Sequence, residues 1–471
     1  MVIALTAAIA GLASAPFWLP TQVTKLREWI FERINGPEGI MVPGPDFDAT
    51  TFRELYAHPA ANGRSKGAGL SDLFWYWLSP GAEVHQEHLE AGEGYDAVAR
   101  TTRYLLAVPN AEAERRARQS VEVQCRRLRI SRRGLVRLRD VMMPVWARFY
   151  WCIVFGEECP AEAELLIVGN ANDVVTALKC CSLRHMDRRA ALTSYVRERL
   201  TRGGAVCALP ETMGLDAQAL YLQGVFFNTA IVQMSEAMTH LVLAVAQHAE
   251  VQRELLNRLD QEMLDSDRFD EDRYLDRVIA EALRRYPLFG IAHRITTDEI
   301  ALRSGERRVH KGSVLCFHYA AYQNSGFMDP EEFRPERWET ISAKDATYIP
   351  FGVTANRPCP AHAIALVTMR AAARAFLREF AVESTAAHAR SIPNRGPCLL
   401  IDRKEGRPGM LRRRWLLGWL AIRDRMEDVL RSVKQLILGT IMVVHARRLR
   451  LAERHFSKGV CPVTGHAREA Q

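Results

Sequence analysis

One cysteine constrains this chain more than any other residue. Cys359 has a proline on each side, follows a loop, and precedes a helical pattern over residues 362–380. The N-terminus of that helix and Arg357, two residues before the thiol, both favour a thiolate. An anionic sulfur is a metal ligand. The segment therefore predicts either an iron-binding thiolate or a buried structural cysteine at a loop-to-helix junction.

Further motifs stand upstream of Cys359. Glu281 and Arg284 are three residues apart in a helical segment, where such an ion pair is common and weakly stabilising by itself. A Pro-Glu-Arg-Trp motif follows at 335–338, and a Pro-Phe-Gly motif at 350–352 precedes the cysteine. The order Glu-x-x-Arg, Pro-Glu-Arg-Trp, Pro-Phe-Gly and Arg-x-Cys resembles the cytochrome P-450 family of heme-thiolate enzymes.

The resemblance implies a mainly α fold with a small β portion, built around thiolate-ligated heme b. The residues that it assigns to cofactor binding are Cys359, Arg294, Arg357, Phe351, Glu281, Arg284 and Arg337. By resemblance, the cysteine is the iron ligand, Arg294 and Arg357 bind the heme propionates, and the last three form a buried ion-pair cluster. A buried pair is costly to break, so Arg284→Ala is expected to prevent heme incorporation. Thiolate ligation favours cleavage of an O–O bond at the iron.

The Cys loop departs from the family pattern. It is one residue longer than usual between Phe-Gly and Cys, and Thr354 or Ala355 stands in place of the second loop glycine. Ala361 replaces the glycine after the cysteine, and Asn356 stands three residues before it. We expect the loop to present the thiolate with rearranged backbone hydrogen bonds to sulfur, which would shift the potential of the iron.

The long apolar helix at 220–246 departs as well. Oxygen-activating members of the family carry an acid followed by a threonine there, because a proton must reach the distal oxygen. The family spacing places Val232 and Gln233 where that pair belongs, so the acid is missing, and Asn228 and Thr229 lie one helical turn earlier. Either the helix register is shifted or the usual proton relay is absent. The alternative is that Asn228 and Thr229 are polar residues satisfied within the helix.

Three functions follow from the resemblance. The first is monooxygenation of an apolar small molecule with O2 and electrons from a ferredoxin or flavoprotein reductase, where Gln233 or Thr229 supplies protons or orders water. The second is rearrangement or cleavage of a fatty-acid hydroperoxide without reductant, where Asn228 positions the peroxide. The altered distal helix, Asn356 and the longer Cys loop are similar to that branch. The third is a non-catalytic heme-binding scaffold.

The substrate pocket is read from apolar residues. Phe226, Phe227, Phe289 and Ile291 come from segments that face the distal side of the heme in this family. They favour a lipophilic substrate, although ordinary core packing would use the same residue types. Phe226 and Phe227 are adjacent on a helix, so one of them must face away from the pocket.

The 471 residues, 48% of them hydrophobic, suit one large catalytic domain. We assign residues 41–402 to that domain, 1–40 to an apolar N-terminal segment, and 403–471 to a basic helical extension with a disordered tail. Ten cysteines without a paired spacing predict reduced thiols in the cytoplasm. The first twenty residues carry no charge and are long enough for a membrane contact, and the Trp-bearing basic extension also reads as an interfacial element or as helices packed on the domain.

The net charge of +8 is concentrated in two regions, the extension and a run with ten arginines between Arg115 and Arg139. We expect the run to lie on the proximal side of the heme with few acids opposite it. A solvated basic face is the ordinary interpretation. In this family an acidic electron donor docks there, so the run also fits a redox-partner surface. Aromatic residues are not interleaved with the basic runs, which argues against nucleic-acid binding.

Overall fold

The structure, a computed structural model, describes residues 2–36, 39–64, 69–131, 134–210, 212–264, 273–303, 307–405 and 409–457. Helices dominate these residues. They are α1 (Val2–Asn35), α2 (Ala49–Ala57), α3 (Gly69–Leu78), α4 (Glu93–Leu106), α5 (Asn110–Ser131), α6 (Leu138–Phe155), α7 (Ala161–Leu178), α8 (Met186–Gly203), α9 (Leu215–Gly224), α10 (Ile231–Gln247), α11 (Ala249–Leu264), α12 (Tyr274–Arg285), α13 (Tyr319–Ser325), α14 (His362–Glu379), α15 (Met410–Leu449) and α16 (Leu451–Ser457).

The strands are short and form three small sheets. Their bounds are β1 (Ile40–Val42), β2 (Leu135–Arg137), β3 (Ile291–Ile295), β4 (Ile300–Ala301), β5 (Arg308–Val309), β6 (Val314–His318), β7 (Phe380–Glu383) and β8 (Pro397–Asp402). In the first sheet β6 lies between β1, to which it is parallel, and β3, to which it is antiparallel. The second has the order β2-β8-β7, and the third pairs β4 with β5. The predicted mainly α fold with a small β portion is confirmed.

One long helix runs through the core. It consists of α9, a π-helical turn at Val225–Ala230, and α10, whose side chains are almost all buried. A π-turn inserts an extra residue into the helix and is typical of functional sites. The side-chain amide of Asn170 on α7 donates to the carbonyl oxygen of Phe227 at 3.3 Å and so satisfies a backbone acceptor in the widened turn.

The first helix packs along the last long one. Gly439 on α15 lets the two helices approach, because a Cβ at this position would lie 2.9 Å from the ring of Phe31. Arg425 stacks over the ring of Phe17, with its guanidinium carbon 4.6 Å from the ring centre. Two helical stretches of the described chain are long and apolar enough to cross a membrane. The one at Leu215–Gln247 is 78% buried in the core, whereas the one at Met410–Ser457 is 28% buried.

The arginine run is less basic than its sequence indicates. It lies largely on α5, which packs on α14, the helix that follows Cys359. We expected few acids opposite it, and this is wrong, because distant elements supply them. Arg127 pairs with Glu164 of α7, and Arg129 pairs with Glu379 of α14 and Asp402 of β8.

Candidate active site

The Cys loop presents its thiol to an internal cavity. The backbone N–H of Cys359 donates to the carbonyl of Phe351 at 3.2 Å, and the N–H of His362 donates to the carbonyl of Cys359 at 3.3 Å as α14 begins. Gly352 has a φ of +76°, a conformation that favours glycine, so the Pro-Phe-Gly turn is specified by its sequence. Cys359, Phe351 and Ala361 all line the cavity. The longer loop therefore still delivers the sulfur.

The charge on Cys359 differs from the sequence-based expectation. Burial raises the pKa of its thiol to about 11, although a backbone hydrogen bond from Ala361 lowers it. Arg357 was expected to favour the thiolate, and this is wrong, because its guanidinium donates to Asn62 and to the carbonyl of Gln86 instead. A protein thiol becomes an anion when it coordinates a metal, whatever its free pKa. The sulfur is thus a thiol that only a metal would deprotonate.

Asn356 holds the Cys loop in place by hydrogen bonds to the backbone of another segment. Its side-chain amide donates to three backbone carbonyls, those of Tyr56 at 3.0 Å, His58 at 3.3 Å and Ala61 at 2.9 Å. These bonds tie the Cys loop to the segment after α2. Asn356 is therefore occupied away from the sulfur, and its position gives no information about the reaction.

The three ion-pair residues come together behind the loop. Arg284 donates twice to the carboxylate of Glu281, both times at 2.9 Å, and neither side chain is exposed. Arg337 adds a third charged hydrogen bond at 3.0 Å, and the indole N–H of Trp338 donates to the same carboxylate at 3.0 Å. Glu281 is thus a fully paired buried carboxylate that joins α12 to the Pro-Glu-Arg-Trp segment.

Three buried guanidinium groups converge at one edge of the cavity. Arg294 and Arg357 line the cavity, and Arg64, which the sequence analysis missed, lines an adjoining chamber. Two acids lie near them: Glu87, and Glu90, which accepts the backbone N–H of Arg64 and acts on Arg357. The side chain of Arg64 lies 3.4 Å from the Glu87 carboxylate and that of Arg294 lies 3.9 Å from it. Burial alone would raise the pKa of Glu87, but the three arginines lower it to about 2. The edge therefore carries more positive than negative charge.

This edge fits a heme. The Nε atoms of Arg64 and Arg294 are buried and have no hydrogen-bond partner among the described residues. Buried cations are ordinarily paired, and the propionates of a heme would supply the missing negative charge. The same cavity is lined by Cys359 and by apolar groups such as Phe351, Leu106 and Ala365. Arg64, Arg294 and Arg357 would hold the propionates, and Cys359 would ligate the iron.

The π-turn brings a threonine to the cavity. Thr229 and Gln233 line the same cavity as Cys359, whereas Asn228 lines only an adjoining chamber. The hydroxyl of Thr229 is 3.0 Å from Nε2 of His85. His85 lies in the run Glu83-Val84-His85-Gln86-Glu87-His88, and this density of titratable residues was the sequence signal that could have located it. Burial lowers the pKa of His85.

Of the two adjacent phenylalanines predicted for the pocket, one faces the cavity and the other faces away. Phe226 lines the cavity beside Cys359. Phe227 packs away from it against Trp151, with ring centres 5.8 Å apart. Phe289 borders both chambers, and Ile291 borders the adjoining one. Among the residues that the structure describes, nine cysteines are free thiols, and groups of His, Cys, Asp and Glu that could hold a separate metal ion are absent.

Sequence comparisons point to the same class of protein. Residues 216–407 match the family model of cytochrome P-450. Cytochrome P-450 monooxygenase orf2 of Aspergillus niger is 33% identical over 172 residues, which are 35% of this chain and 35% of that protein. Cytochrome P-450 3A13 of Mus musculus is 27% identical over 178 residues, 36% of this chain and 35% of that protein. The matched segments thus span about a third of the length of these relatives.

Solved structures share the fold. A variant of cytochrome P-450SP alpha superposes with a TM-score of 0.60 at 17% identity and covers 75% of this chain and 89% of its own. A zebra fish cytochrome P-450 with abiraterone gives a TM-score of 0.59 at 15% identity, over 72% of this chain and 86% of that one.

The described residues therefore have the fold of cytochrome P-450 structures, with a cysteine and buried arginines on one cavity. Residues 216–407 belong to the cytochrome P-450 family, and that family implies a thiolate-ligated heme iron as its cofactor.

Proposed function

We propose that this protein is a monooxygenase that oxidises an apolar small molecule with O2 and electrons from a separate redox partner. The observation that carries the proposal is the hydrogen bond between Thr229 and His85 at the cavity that Cys359 lines. The usual acid of the distal helix is missing. A buried histidine from a different segment supplies a protonatable group at the threonine instead.

The neighbours of His85 fix the direction of this hydrogen bond. The backbone N–H of Glu87 donates to Nδ1 of His85 at 3.2 Å, so Nδ1 is an acceptor. A neutral imidazole carries one proton, which must then be on Nε2. Nε2–H therefore donates to the Thr229 hydroxyl oxygen. The hydroxyl proton of Thr229 is left free to be donated toward the cavity.

The roles of the remaining groups follow. When bound, the heme supplies oxygen binding and O–O bond cleavage favoured by its thiolate ligand. Thr229 donates a hydrogen bond toward the cavity from its Oγ1, and the Nε2–H of neutral His85 holds that hydroxyl in this orientation. The Thr229 hydroxyl passes on one proton as it takes another from water in the cavity. Gln233, one turn further along the helix, orders water in the cavity.

An apolar substrate fits the adjoining chamber. Most of its lining is hydrocarbon or aromatic: Phe74, Leu78, Val174, Val175, Leu178, Val232, Phe289 and Ile291. Such a lining binds apolar surface with little specificity beyond shape. The cationic edge with Arg64 and Arg294 also borders this chamber, but the propionates would occupy it.

We place the electron donor at the proximal face formed by α5 and α14. This face lies on the side of Cys359, so an electron entering there has the shortest path to the sulfur. Internal ion pairs neutralise much of the arginine run, so we expect a ferredoxin or flavoprotein reductase to bind there with a modest salt dependence. Free thiols fit a reducing compartment such as the cytoplasm.

Reductant-independent turnover of a fatty-acid hydroperoxide is the alternative. It assigns to Asn228 the task of positioning the peroxide. Asn228 lines the adjoining chamber and not the cavity beside Cys359. This distance from the sulfur supports monooxygenation over hydroperoxide rearrangement. A heme-binding scaffold without activity is the remaining possibility, and the same experiment separates all three.

The test measures product from heme-loaded protein under two conditions. One reaction contains O2, NADPH and a surrogate redox pair, and the other contains fatty-acid hydroperoxides without reductant. We expect product in the first. Thr229→Val, which removes the hydroxyl and keeps the shape, should lower product per NADPH by roughly tenfold or more, within the range of general acid catalysis. NADPH consumption should continue and release hydrogen peroxide.

The matched control is Thr239→Val on the same helix. Thr239 is buried, and its hydroxyl donates to the carbonyl of Ser235 at 2.6 Å, away from the cavity. We expect this variant to keep its product yield. Fast hydroperoxide turnover that Asn228→Ala abolishes would replace the proposal by the rearrangement reaction. Heme-loaded protein inert under both conditions would favour the scaffold.

A further inference from the structure

The outer face of α15 exposes many large apolar side chains. Ten of its exposed residues are large and apolar: Met410, Leu411, Trp415, Trp419, Ile422, Met426, Leu430, Val433, Ile437 and Ile441. The exposed fraction reaches 85% at Leu411 and 72% at Leu430. Isolated exposed apolar residues need no explanation, but a contiguous patch marks an interaction surface.

These residues form one straight stripe. From Leu411 to Ile441 they follow one another at intervals of four, four and three residues, repeated throughout. Eleven residues in three turns match the pitch of an α-helix closely, with a drift of only about 20° per repeat. The stripe therefore stays on one side of the helix for about 45 Å. Such a stripe can rest on a flat surface along its whole length.

Both edges of the stripe are basic. The remaining exposed residues of α15 are Arg412, Arg414, Gly418, Arg423, Arg425, Lys434, His445 and Arg448, and acidic residues are absent from the exposed positions of this helix. Cationic side chains that flank an apolar face can extend toward the headgroups of a bilayer while their stems stay on the apolar side. The acids of α15 are in ion pairs: buried Asp424 and Asp428, whose side chain is 42% exposed, both pair with Arg431, and Glu427 pairs with Arg423.

The inner face excludes a membrane-spanning orientation. Asp424 is 4% exposed and accepts hydrogen bonds from the backbone N–H of Ala387 and the side-chain amide of Asn394. Glu427 pairs with Arg137, which precedes α6. Taking α15 across a bilayer would separate these partners and bury unpaired charge in hydrocarbon. The helix can contact a membrane only with its outer face, while the inner face stays on the protein.

We propose that the outer face of α15 binds a bilayer that contains anionic lipid, with the helix lying in the plane of the membrane. Neighbouring groups extend the surface. On one side, α1 exposes Phe17, Trp18 and Trp29. Tryptophan is enriched at the interface between headgroups and acyl chains. The docking surface thus combines apolar insertion with attraction to negative charge.

A recess beside the stripe adds to the basic character. Leu430 and Lys434 of α15 line it together with Arg188 of α8. Arg188 and Lys434 are both exposed, and neither belongs to an ion pair within the described chain. The recess thus places two free cations next to the stripe, where headgroups would lie.

A second copy of this chain fits the surface less well. In a two-fold interface the same patch meets itself. Each stripe would then meet a partner whose edges are also basic, and like charges would face one another. An anionic lipid surface is complementary to the same edges. The charge distribution therefore favours lipid.

The experiment is flotation of the heme-loaded full chain with two kinds of vesicle, phosphatidylcholine alone and phosphatidylcholine with phosphatidylglycerol. We expect stronger binding to the anionic vesicles, weakened by salt. The combined change Ile422→Glu, Leu430→Glu and Ile437→Glu should lower binding by more than roughly tenfold, since each replaces apolar surface by a negative charge. The change Arg412→Gln, Arg414→Gln and Lys434→Gln should lower only the anionic preference, by roughly fivefold per charge.

The matched control places glutamate on exposed apolar residues elsewhere, as Tyr104→Glu, Leu165→Glu and Met328→Glu. Their exposed fractions are 70%, 74% and 83%. These changes should leave flotation unchanged, and heme content checks the fold of every variant. Equal flotation of the stripe variant and the unaltered chain would overturn the proposal. So would a dimer in lipid-free sedimentation that the stripe variant dissociates, because the stripe would then be a self-association surface.

Discussion

Two regions around the cavity differ in how completely their buried polar groups are paired. Behind the Cys loop, Glu281 accepts hydrogen bonds from Arg284, Arg337, the indole of Trp338 and the backbone N–H of Arg334. At the cationic edge, Nε of Arg64, Nε of Arg294 and Oε1 of Gln86 have no partner among the described residues.

The difference separates two kinds of structure. The Glu281 cluster is complete within the chain and stabilises the fold by itself. The cationic edge is incomplete without a group from outside the chain, because unpaired buried cations cost free energy. The following variants test this contrast, from the largest expected effect to the smallest.

Breaking the Glu281 cluster should have the largest effect. Arg284→Ala leaves the fully buried Glu281 carboxylate with one of its two cationic partners, Arg337. The loss of one partner of a buried ion pair costs about 3–5 kcal/mol. We expect this loss in the free energy of unfolding of the heme-free protein, measured by urea denaturation. Arg202→Ala, which breaks an exposed pair with Glu198, should cost less than about 1 kcal/mol. A similar cost for both would mean that the cluster is not the paired centre that its geometry indicates.

A change at the cationic edge should lower heme affinity and leave the stability of the heme-free protein nearly unchanged. Arg64→Met removes one of three clustered guanidinium groups, and Glu87 keeps Arg294 and Arg357 nearby. We expect the heme-free protein to change by less than about 1 kcal/mol, while heme affinity in a titration falls by roughly tenfold, the value of one charged hydrogen bond.

A second buried arginine supplies the control for that variant. Arg189 is fully buried and pairs with Asp173 at 2.6 Å, away from the cavity. Arg189→Met should destabilise the heme-free protein strongly, because it leaves Asp173 unpaired. Heme affinity that Arg64→Met leaves unchanged would remove Arg64 from the propionate site.

A paired histidine centre behind the distal helix gives a smaller, pH-dependent effect. Nδ1 of His240 lies 3.0 Å from Nε2 of His388, and Nδ1 of His388 lies 3.1 Å from Oε1 of Gln247. Burial lowers the pKa of His388 to about 3 and that of His240 well below its usual value. Both imidazoles are thus neutral in the folded protein. In the unfolded chain each takes up a proton with the ordinary histidine pKa of about 6.5. The free energy of unfolding should fall as the pH drops below about 6.5, by about 1 kcal/mol per histidine and pH unit.

The measurement is urea denaturation of the heme-free protein between about pH 7 and about pH 5. His388→Phe keeps the stacking on Tyr286, whose ring centre is 3.7 Å from that of the histidine. This variant should make the profile shallower by one histidine's share, about 1 kcal/mol per pH unit, because burial also lowers the pKa values of His85, His88, His240 and His293. His310→Gln changes a side chain that is 84% exposed and should leave it as it is. An equally steep profile in the His388 variant would locate the titration elsewhere.

The Glu281 cluster and the cationic edge also differ in how well the sequence predicts them. Glu281 and Arg284 are three residues apart on one helix, so their contact is local and their spacing indicates it. Arg64, His85 and Glu87 come from segments without a motif and meet residues more than a hundred positions later, such as Thr229 and Arg294. Only the fold brings them together. The acids opposite the arginine run were missed for the same reason.

The smallest effect is expected at Asn228. Its side-chain oxygen is buried and has no hydrogen-bond partner in the described part of the chain, and the residue lines the adjoining chamber. Asn228→Leu removes the unpaired acceptor and keeps much of the volume, so we expect the free energy of unfolding to stay the same or rise by less than about 1 kcal/mol. Product formation with O2 and reductant should persist, measured beside the Thr229→Val variant. A collapse of oxygen-dependent turnover in this variant would instead give Asn228 a role beside the iron.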